Sequence, residues 1–232
     1  MQDNQPLDVR IDFKTQRILL FAGLVGSVTV VVCNTIMGSY GELDDWSQWS
    51  MNLAYWAGSI GLAFAGLGFV PTYVALRPAG FMWAAPPAAL LGYFLALGSA
   101  GHGSFFAHYS AVQAVNAAAE DPAILPALEA LRSTLALYNL VMFLVPVSVL
   151  LIGSMWFSIT VLTRPTLYPR WMAAWNIFVI ALVTFVIGEL EFLPDLIQLV
   201  FRGLGFHLGI SGYFLLSLHF LSKHNRSSVP SP

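Results

Sequence analysis

The chain has 232 residues, of which 57% are hydrophobic and 9% are charged, and its formal net charge is −2. Soluble domains carry roughly 25% charged residues, so this composition excludes a water-soluble protein and predicts an integral membrane protein. The charge balance also argues against a nucleic-acid partner, because there is no basic stripe to neutralise phosphates. The single cysteine, Cys33, can form neither an internal disulfide nor a cysteine-based metal motif.

Runs of about 20 apolar residues predict transmembrane helices. Six such runs occur, over residues 17–39, 50–76, 82–106, 134–162, 171–192 and 196–221. The predicted fold class is therefore an all-α integral membrane protein, a bundle of six transmembrane helices. Seven is the alternative count, if the segment around 106–118 dips back into the bilayer. Residues 1–222 would form a single transmembrane domain, and residues 223–232 a short polar cytoplasmic tail.

The basic residues indicate how the bundle is oriented. Eight of the ten fall on one side of the predicted spans: Arg10, Lys14, Arg17, Arg77, Arg164, Arg170, Lys223 and Arg226. The positive-inside rule makes that side cytoplasmic, so both termini are expected inside, with the protein in a plasma or inner membrane. The N-terminal segment carries three acidic residues and lacks a cleavage site, so it is interpreted as a retained cytoplasmic segment rather than a signal peptide.

Span three is longer than a bilayer requires. From residue 82 to 118 a continuous helix would be about 55 Å long, against a hydrocarbon core of roughly 30 Å. The helix must either project beyond the membrane or break at Gly101-His102-Gly103.

Between spans four and five, residues 164–171 read RPTLYPRW. Two prolines end one helix and start the next, which predicts a cytoplasmic turn. Tyr168 and Trp171 fall at the level of an interfacial aromatic belt. We expect this segment to be a rigid connector.

Four segments carry a family resemblance. They are "NTIMGSY" at the end of span one, the glycine-flanked His102, the "LYPRW" turn and "GFHLGISGYFLL" in the last span. Together they resemble an uncharacterised family of prokaryotic multipass membrane proteins, classed as a domain of unknown function. The resemblance implies six helices, and it transfers no activity and no catalytic residue.

Polar side chains collect in the extracytoplasmic half of the predicted spans. A rise of 1.5 Å per residue places His102 about 30 Å, and Glu189 and Asn34 about 25 Å, from the cytoplasmic ends of their spans. The other members of this layer are Arg202, His207, Tyr55 and Asn139. An ionisable group at membrane depth costs roughly 2.5–3.5 kcal/mol and by default marks a functional site.

Helical phase adds further residues to the layer. If span three is continuous, Tyr109 and Gln113 lie within about 40° of His102 on its surface, whereas His108 points about 120° away. A structural role stays open for each polar residue. A histidine could be hydrogen-bonded to a backbone carbonyl, the carboxylates could be solvent-exposed loop residues, and Arg202 could form an ion pair with Glu189 or Glu191.

These residues favour an acid/base enzyme that acts on a lipophilic small molecule, such as a terpenoid, sterol or acyl lipid. His102 would be the general acid or base, and Glu189 or Glu191 its partner. Arg202 would hold an anionic oxygen, with His207 deeper in the pocket. Substrate-binding residues would be Asn34, Tyr55, Tyr109, Gln113 and Asn139. The chemistry would be of the isomerase, cyclase, lyase or hydrolase type.

Two alternatives stay open: a haem- or metal-binding membrane protein, and a non-enzymatic lipid or small-molecule sensor or carrier. No cofactor and no metal site are predicted, because His102 and His207 are estimated at different depths. The expected partners are membrane lipid and a lipophilic small molecule, and a homo-oligomer stays open. No phosphate-binding loop or serine-nucleophile motif is found.

Overall fold

A computed structural model describes residues 11–39, 48–118, 121, 123–190, 192, 198, 201 and 205–227. Its α-helices are α1 (Phe13–Ser39), α2 (Gln48–Leu67), α3 (Val70–Leu76), α4 (Phe81–Ala117), α5 (Leu125–Thr163), α6 (Ile177–Gly188) and α7 (Gly205–Ser227). Single 3-10 turns cover Arg77–Ala79 and Arg170–Ala173. No β-strand occurs in these residues, and the prediction of an all-α protein is confirmed.

The helices pack as a closed ring of antiparallel neighbours. The order around the ring is α1, α2, α4, α5, α6 and α7, and α7 closes it by packing against α1. We call the end at which α1 begins and α7 ends the terminal end, and the opposite end the loop end. Paired positions run in opposite directions at each interface, for example Gly23 and Ser27 of α1 with Phe214 and Ser211 of α7.

Glycines allow the closest of these approaches. A Cβ atom on Gly61 would lie 2.8 Å from the carbonyl oxygen of Gly26, so α1 and α2 touch backbone to backbone. Small residues at helix interfaces are the usual means of close packing inside a membrane, where lipid is as apolar as leucine. The glycines of spans one and two therefore act in helix packing.

The protein is membrane-embedded. Four helical segments, Phe13–Asn34, Asn52–Ala79, Phe81–Ala117 and Leu125–Thr163, are long and apolar enough to cross a bilayer. The outward surfaces of these helices carry exposed large apolar side chains, including Phe21, Trp56 and Phe143. Such faces are stable when lipid covers them.

Span three is one helix. α4 runs through Gly101–Gly103 without interruption over 37 residues, and its partner α5 has 39 residues. At 1.5 Å per residue these helices are about 55 Å and 58 Å long, well beyond a hydrocarbon core of roughly 30 Å. Of the two alternatives for this span, the structure therefore has the continuous helix that projects past the membrane.

Span five is shorter than expected. The sequence predicts helix over 171–192, but α6 begins only at Ile177 and has 12 residues. Asn176 is the reason: its side-chain oxygen accepts a hydrogen bond from the Phe178 amide, and its Nδ2 donates to Ser154 O at 3.0 Å and to Ser158 Oγ at 2.8 Å. This asparagine caps the helix inside the bundle, and the preceding residues 164–176 form an irregular connector.

The end of the last helix also differs from the prediction. α7 runs to Ser227, so the last helix continues beyond residue 221, the predicted end of span six. The predicted start of span six, at residue 196, falls among residues most of which lie outside the described part of the chain.

Candidate functional site

His102 lies where four helices meet, near the loop end of the ring. A Cβ atom on Gly58 of α2 would lie 2.9 Å from His102 Nδ1 and 3.5 Å from Cys33 Cβ of α1. The imidazole therefore fills the space that glycine leaves, with the thiol-bearing residue beside it. Only a residue without a side chain at position 58 permits this contact.

His207 of α7 is the second imidazole at this level. It is buried, with 8% of its surface exposed, and it lies close enough to His102 for the two side chains to interact electrostatically. We refer to His102 and His207 as the histidine pair. Gly205 packs on Thr184 of α6 and so holds the start of α7, with His207, near the loop end.

An aromatic wall adjoins His102 on the loop side. The Tyr55 ring stands edge-on to His102 with centroids 6.4 Å apart, and it lies 5.4 Å from Phe106 and 6.4 Å from Tyr109. Tyr109 lies two turns beyond His102 on the continuous α4, as the helical phase predicts. Of the expected binding residues, Tyr55 thus stands beside His102, and Tyr109 stands beside Tyr55.

Several buried polar atoms near this level have no hydrogen-bond partner among the described residues. They are the Nδ1 atoms of His102, His207 and His108, both amide atoms of Asn139, and Asn52 Oδ1. Buried polar atoms in folded proteins are nearly always paired, and each unpaired group costs about 1–3 kcal/mol. Two more such atoms, Ser154 Oγ and Trp156 Nε1, lie farther along α5, so unpaired polar atoms are most numerous in the loop-end half but are not confined to it.

The terminal half of the ring is filled by aromatic side chains. Phe69 packs at 5.3 Å from Tyr213 and at 5.1 Å from Phe214, and Phe157 lies 5.9 Å from Tyr213. These rings are almost completely buried. They close the interior below the histidine pair and confine any cavity there to the loop-end half.

The connector 164–176 seals the terminal end with a hydrogen-bonded network that the sequence analysis missed. Tyr168 Oη lies 2.8 Å from Ser217 Oγ and 3.3 Å from Tyr213 Oη, and Thr72 Oγ1 lies 2.9 Å from Tyr213 Oη. Burial raises the pKa of the Tyr168 hydroxyl. We call these four residues the hydroxyl network. Its members come from three distant segments, so no local pattern indicates it.

One more polar contact lies between the histidine pair and the hydroxyl network. Ser211 Oγ lies 2.7 Å from Ser27 Oγ of α1 and donates to the carbonyl of His207 at 3.0 Å. Two buried serines in contact hold α7 against α1, one turn below His207. His207 and Ser211 are four residues apart, so they share one face of α7. At Ser211 this face is turned toward α1.

The remaining predicted site residues do not all lie beside the histidine pair. Asn139 is buried on α5, whose Met142 packs against Gly101 of α4. Gln113 is exposed on the projecting part of α4. Glu189 is exposed at the end of α6, where its backbone amide caps the helix, and both Glu189 and Asn34 interact with neighbouring groups. Glu191 and Arg202 lie outside the described residues.

Metal-binding geometry was sought among the ligand-type side chains. In the part of the chain that the structure describes, no group of three or more His, Cys, Asp or Glu side chains is placed to hold a metal ion. Cys33 of α1 and His102 of α4 both lie beside Gly58.

The arrangement offers two imidazoles, a tyrosine hydroxyl and a thiol in largely apolar surroundings. Imidazole is the side chain best suited to donate and accept protons near neutral pH, and apolar walls with a few polar groups are typical of small-molecule sites. No protein-family model matches the chain, and neither a curated protein nor a solved structure matches it.

Proposed function

We propose that the protein is a membrane-embedded acid/base enzyme that acts on a lipophilic small molecule bound at the loop-end half of the ring. The observation that carries the proposal is the histidine pair, whose two Nδ1 atoms are buried without protein partners in the described residues. A ligand with a polar group would offset the cost of the unpaired His207 Nδ1, whereas His102 Nδ1 faces Gly58.

The different burial of His102 and His207 suggests a different role for each. His102 is half-buried, between Gly58 and the Tyr55 ring, so it can reach a substrate that enters from the loop end. His207 is more deeply buried and stands behind it. His102 exchanges a proton with the substrate, which suits isomerisation, cyclisation, elimination or hydrolysis. His207 contributes from deeper in the site. Glu189, Glu191 and Arg202 keep their predicted auxiliary roles.

The substrate is apolar with one polar group. Phe106, Tyr55 and Tyr109 line the approach to His102, and the aromatic layer of the terminal half closes the far side. A terpenoid, sterol or acyl chain would bury its hydrocarbon against these rings and present its oxygen to the histidine pair.

The proposal includes a topology. We infer six membrane crossings, with residues 171–192 as the fifth, and a cytoplasmic terminal end. The basic side chains Lys14, Arg17, Arg77, Arg164, Arg170 and Lys223 lie at or beside helix ends of that side, whereas Asp121, Glu129 and Glu189 lie toward the loop end. The positive-inside rule then assigns the histidine pair to the extracytoplasmic half of a plasma or inner membrane.

The test is native mass spectrometry and absorption spectroscopy of protein extracted in polymer nanodiscs, which avoids stripping by detergent. Wild-type protein should carry a lipophilic molecule that is not bulk lipid. Its occupancy should fall about tenfold or more in His102→Gln and His207→Gln, which is the loss of about 1.4 kcal/mol of binding. His224→Gln, at an exposed position of α7, is the matched control and should keep the molecule.

Three results would contradict the proposal. One is protein that carries bulk lipid alone. A second is a bound molecule that both glutamine variants keep at full occupancy. The third is a Soret band or a stoichiometric metal, which would instead make His102 or His207 a ligand, as in the haem or metal alternative.

A further inference from the structure

A groove of about 430 Å³ runs along α7 at the terminal end of the ring. It is lined by Leu215, Leu218, His219, Ser222 and Lys223. The volume falls within the roughly 300–1,000 Å³ that small-molecule sites occupy. The groove shares no residue with the histidine pair, and its nearest member, Leu215, lies eight positions beyond His207, so it is a separate feature.

The lining residues form a polarity gradient along one helix face. Their spacing of three or four residues places them on one side of α7. Leu215 and Leu218 lie farther from the helix end, whereas Ser222 and Lys223 lie nearer to it. An amphiphile that lies parallel to the helix would find apolar contacts at one end and polar contacts at the other.

The polar end of the groove is positively charged. None of the five lining residues is acidic, and Lys223 is exposed. Among the described residues of the terminal end, the only acidic side chain is Asp12. Its carboxylate already accepts hydrogen bonds from the amide and the hydroxyl of Thr15, at 2.9 Å and 2.7 Å. An anion in the groove therefore meets a cation without a competing carboxylate in its lining.

We propose that this groove binds an anionic phospholipid from the leaflet at the terminal end. Lys223 pairs with the headgroup phosphate, Ser222 donates a hydrogen bond to it, and the first segment of an acyl chain packs on Leu215 and Leu218. Basic side chains at a membrane surface attract anionic lipid headgroups, and a lysine binds phosphate as a point charge. A phospholipid satisfies both ends of the gradient, whereas inorganic phosphate satisfies only one.

The experiment compares lipid retention by the delipidated full-length protein in detergent. Phosphatidylglycerol and phosphatidylcholine with identical acyl chains are added in turn, and bound lipids are counted by native mass spectrometry. One phosphatidylglycerol should be retained in preference to phosphatidylcholine. Lys223→Ala should weaken this retention about fivefold, the effect of one basic residue near an anionic headgroup. Leu215→Trp, which fills the apolar part of the groove from an exposed position, should weaken it as well.

Lys14→Ala is the matched control, since Lys14 lies at the same end, on α1, and does not line the groove. It should leave retention unchanged. Equal retention of the two lipids, or an equal loss in Lys14→Ala and Lys223→Ala, would overturn the proposal in favour of diffuse charge attraction. Displacement of the lipid by inorganic phosphate, with no effect of Leu215→Trp, would overturn it in favour of a simple anion site.

Discussion

The imidazole of His102 occupies the space that a side chain at position 58 would need. A Cβ atom on Gly58 would lie 2.9 Å from His102 Nδ1 and 3.0 Å from Cε1, closer than non-bonded atoms approach. The position of the proposed catalytic histidine thus depends on a glycine of another helix. Gly58 therefore does more than allow α1 and α2 to pack closely.

Gly58→Ala should displace the His102 imidazole while leaving the fold intact, because the contacted atoms belong to a side chain that can rotate. A displacement of about 1 Å in a catalytic group can cost about a hundredfold in rate, and occupancy by the bound molecule should fall in parallel. Native mass spectrometry measures the occupancy, and thermal unfolding measures the fold.

Gly103→Ala is the control for this substitution, since a Cβ atom at Gly103 would meet no atom within 4 Å. It should match the wild type in both measurements. If Gly58→Ala keeps full occupancy, the contact between Gly58 and His102 has no role in binding.

His207→Leu should separate function from stability. A buried imidazole whose Nδ1 has no protein partner in the described residues is a cost to folding, of about 1–3 kcal/mol. An apolar side chain removes that cost, so the ligand-free variant should unfold at an equal or higher temperature. For a domain of this size, each kcal/mol gained in the free energy of unfolding raises the unfolding temperature by about 2–4 °C. The bound molecule should be lost at the same time.

A lower unfolding temperature of His207→Leu in ligand-free protein would instead mark His207 as a structural residue. The comparison with Ser211→Ala keeps this distinction clear. Ser211 contacts Ser27 at 2.7 Å and stabilises the packing of α7 on α1, so its loss should destabilise the protein by about 1 kcal/mol without a direct effect on the histidine pair.

The sequence was a good guide to the helices and a poor guide to how they align. Apolar runs reveal which segments cross a membrane, and the length of α4 could be anticipated from its pattern. The depth of His207 could not, because it depends on the packing of Gly205 against Thr184. Similarly, α6 begins at Ile177 because the capping Asn176 is held by its side-chain Nδ2, which donates to Ser154 and Ser158, 22 and 18 residues earlier on α5.

The hydroxyl network illustrates the same limit. Tyr168 seemed from its position to be an interfacial anchor, yet only 4% of its surface is exposed and its hydroxyl bonds Ser217 on α7. Prolines 165 and 169 end the helix locally, but they do not reveal that the connector folds back into the ring. Long-range contacts of this kind leave no periodic trace in a single sequence.

The topology can be tested with single cysteines in a Cys33→Ala background. Asp121→Cys lies at an exposed position of the loop end, and Ser231→Cys follows α7 in the C-terminal segment. If the terminal end is cytoplasmic, a membrane-impermeant maleimide should label Asp121→Cys in intact cells and Ser231→Cys only after the cells are opened. The reverse pattern would place the histidine pair in the cytoplasmic half.

The hydroxyl network should contribute measurably to stability, and its contribution should depend on pH. Tyr168→Phe removes the contacts with Ser217 and Tyr213 and leaves Ser217 buried, which should cost about 1–3 kcal/mol in the free energy of unfolding. Tyr93→Phe, at an exposed position of α4, should cost nothing.

The sign of the pH dependence follows from the pKa of Tyr168, which burial raises above its ordinary value of 10.0. Between the unfolded and folded pKa values, the folded state keeps a proton that the unfolded state has lost. The contribution of Tyr168 is therefore fully present below pH 10 and declines as pH rises through the folded pKa. Unfolding temperatures measured from pH 8 to 11 should fall more steeply in the wild type than in Tyr168→Phe. Parallel curves would show that the Tyr168 hydroxyl is not held neutral by the fold.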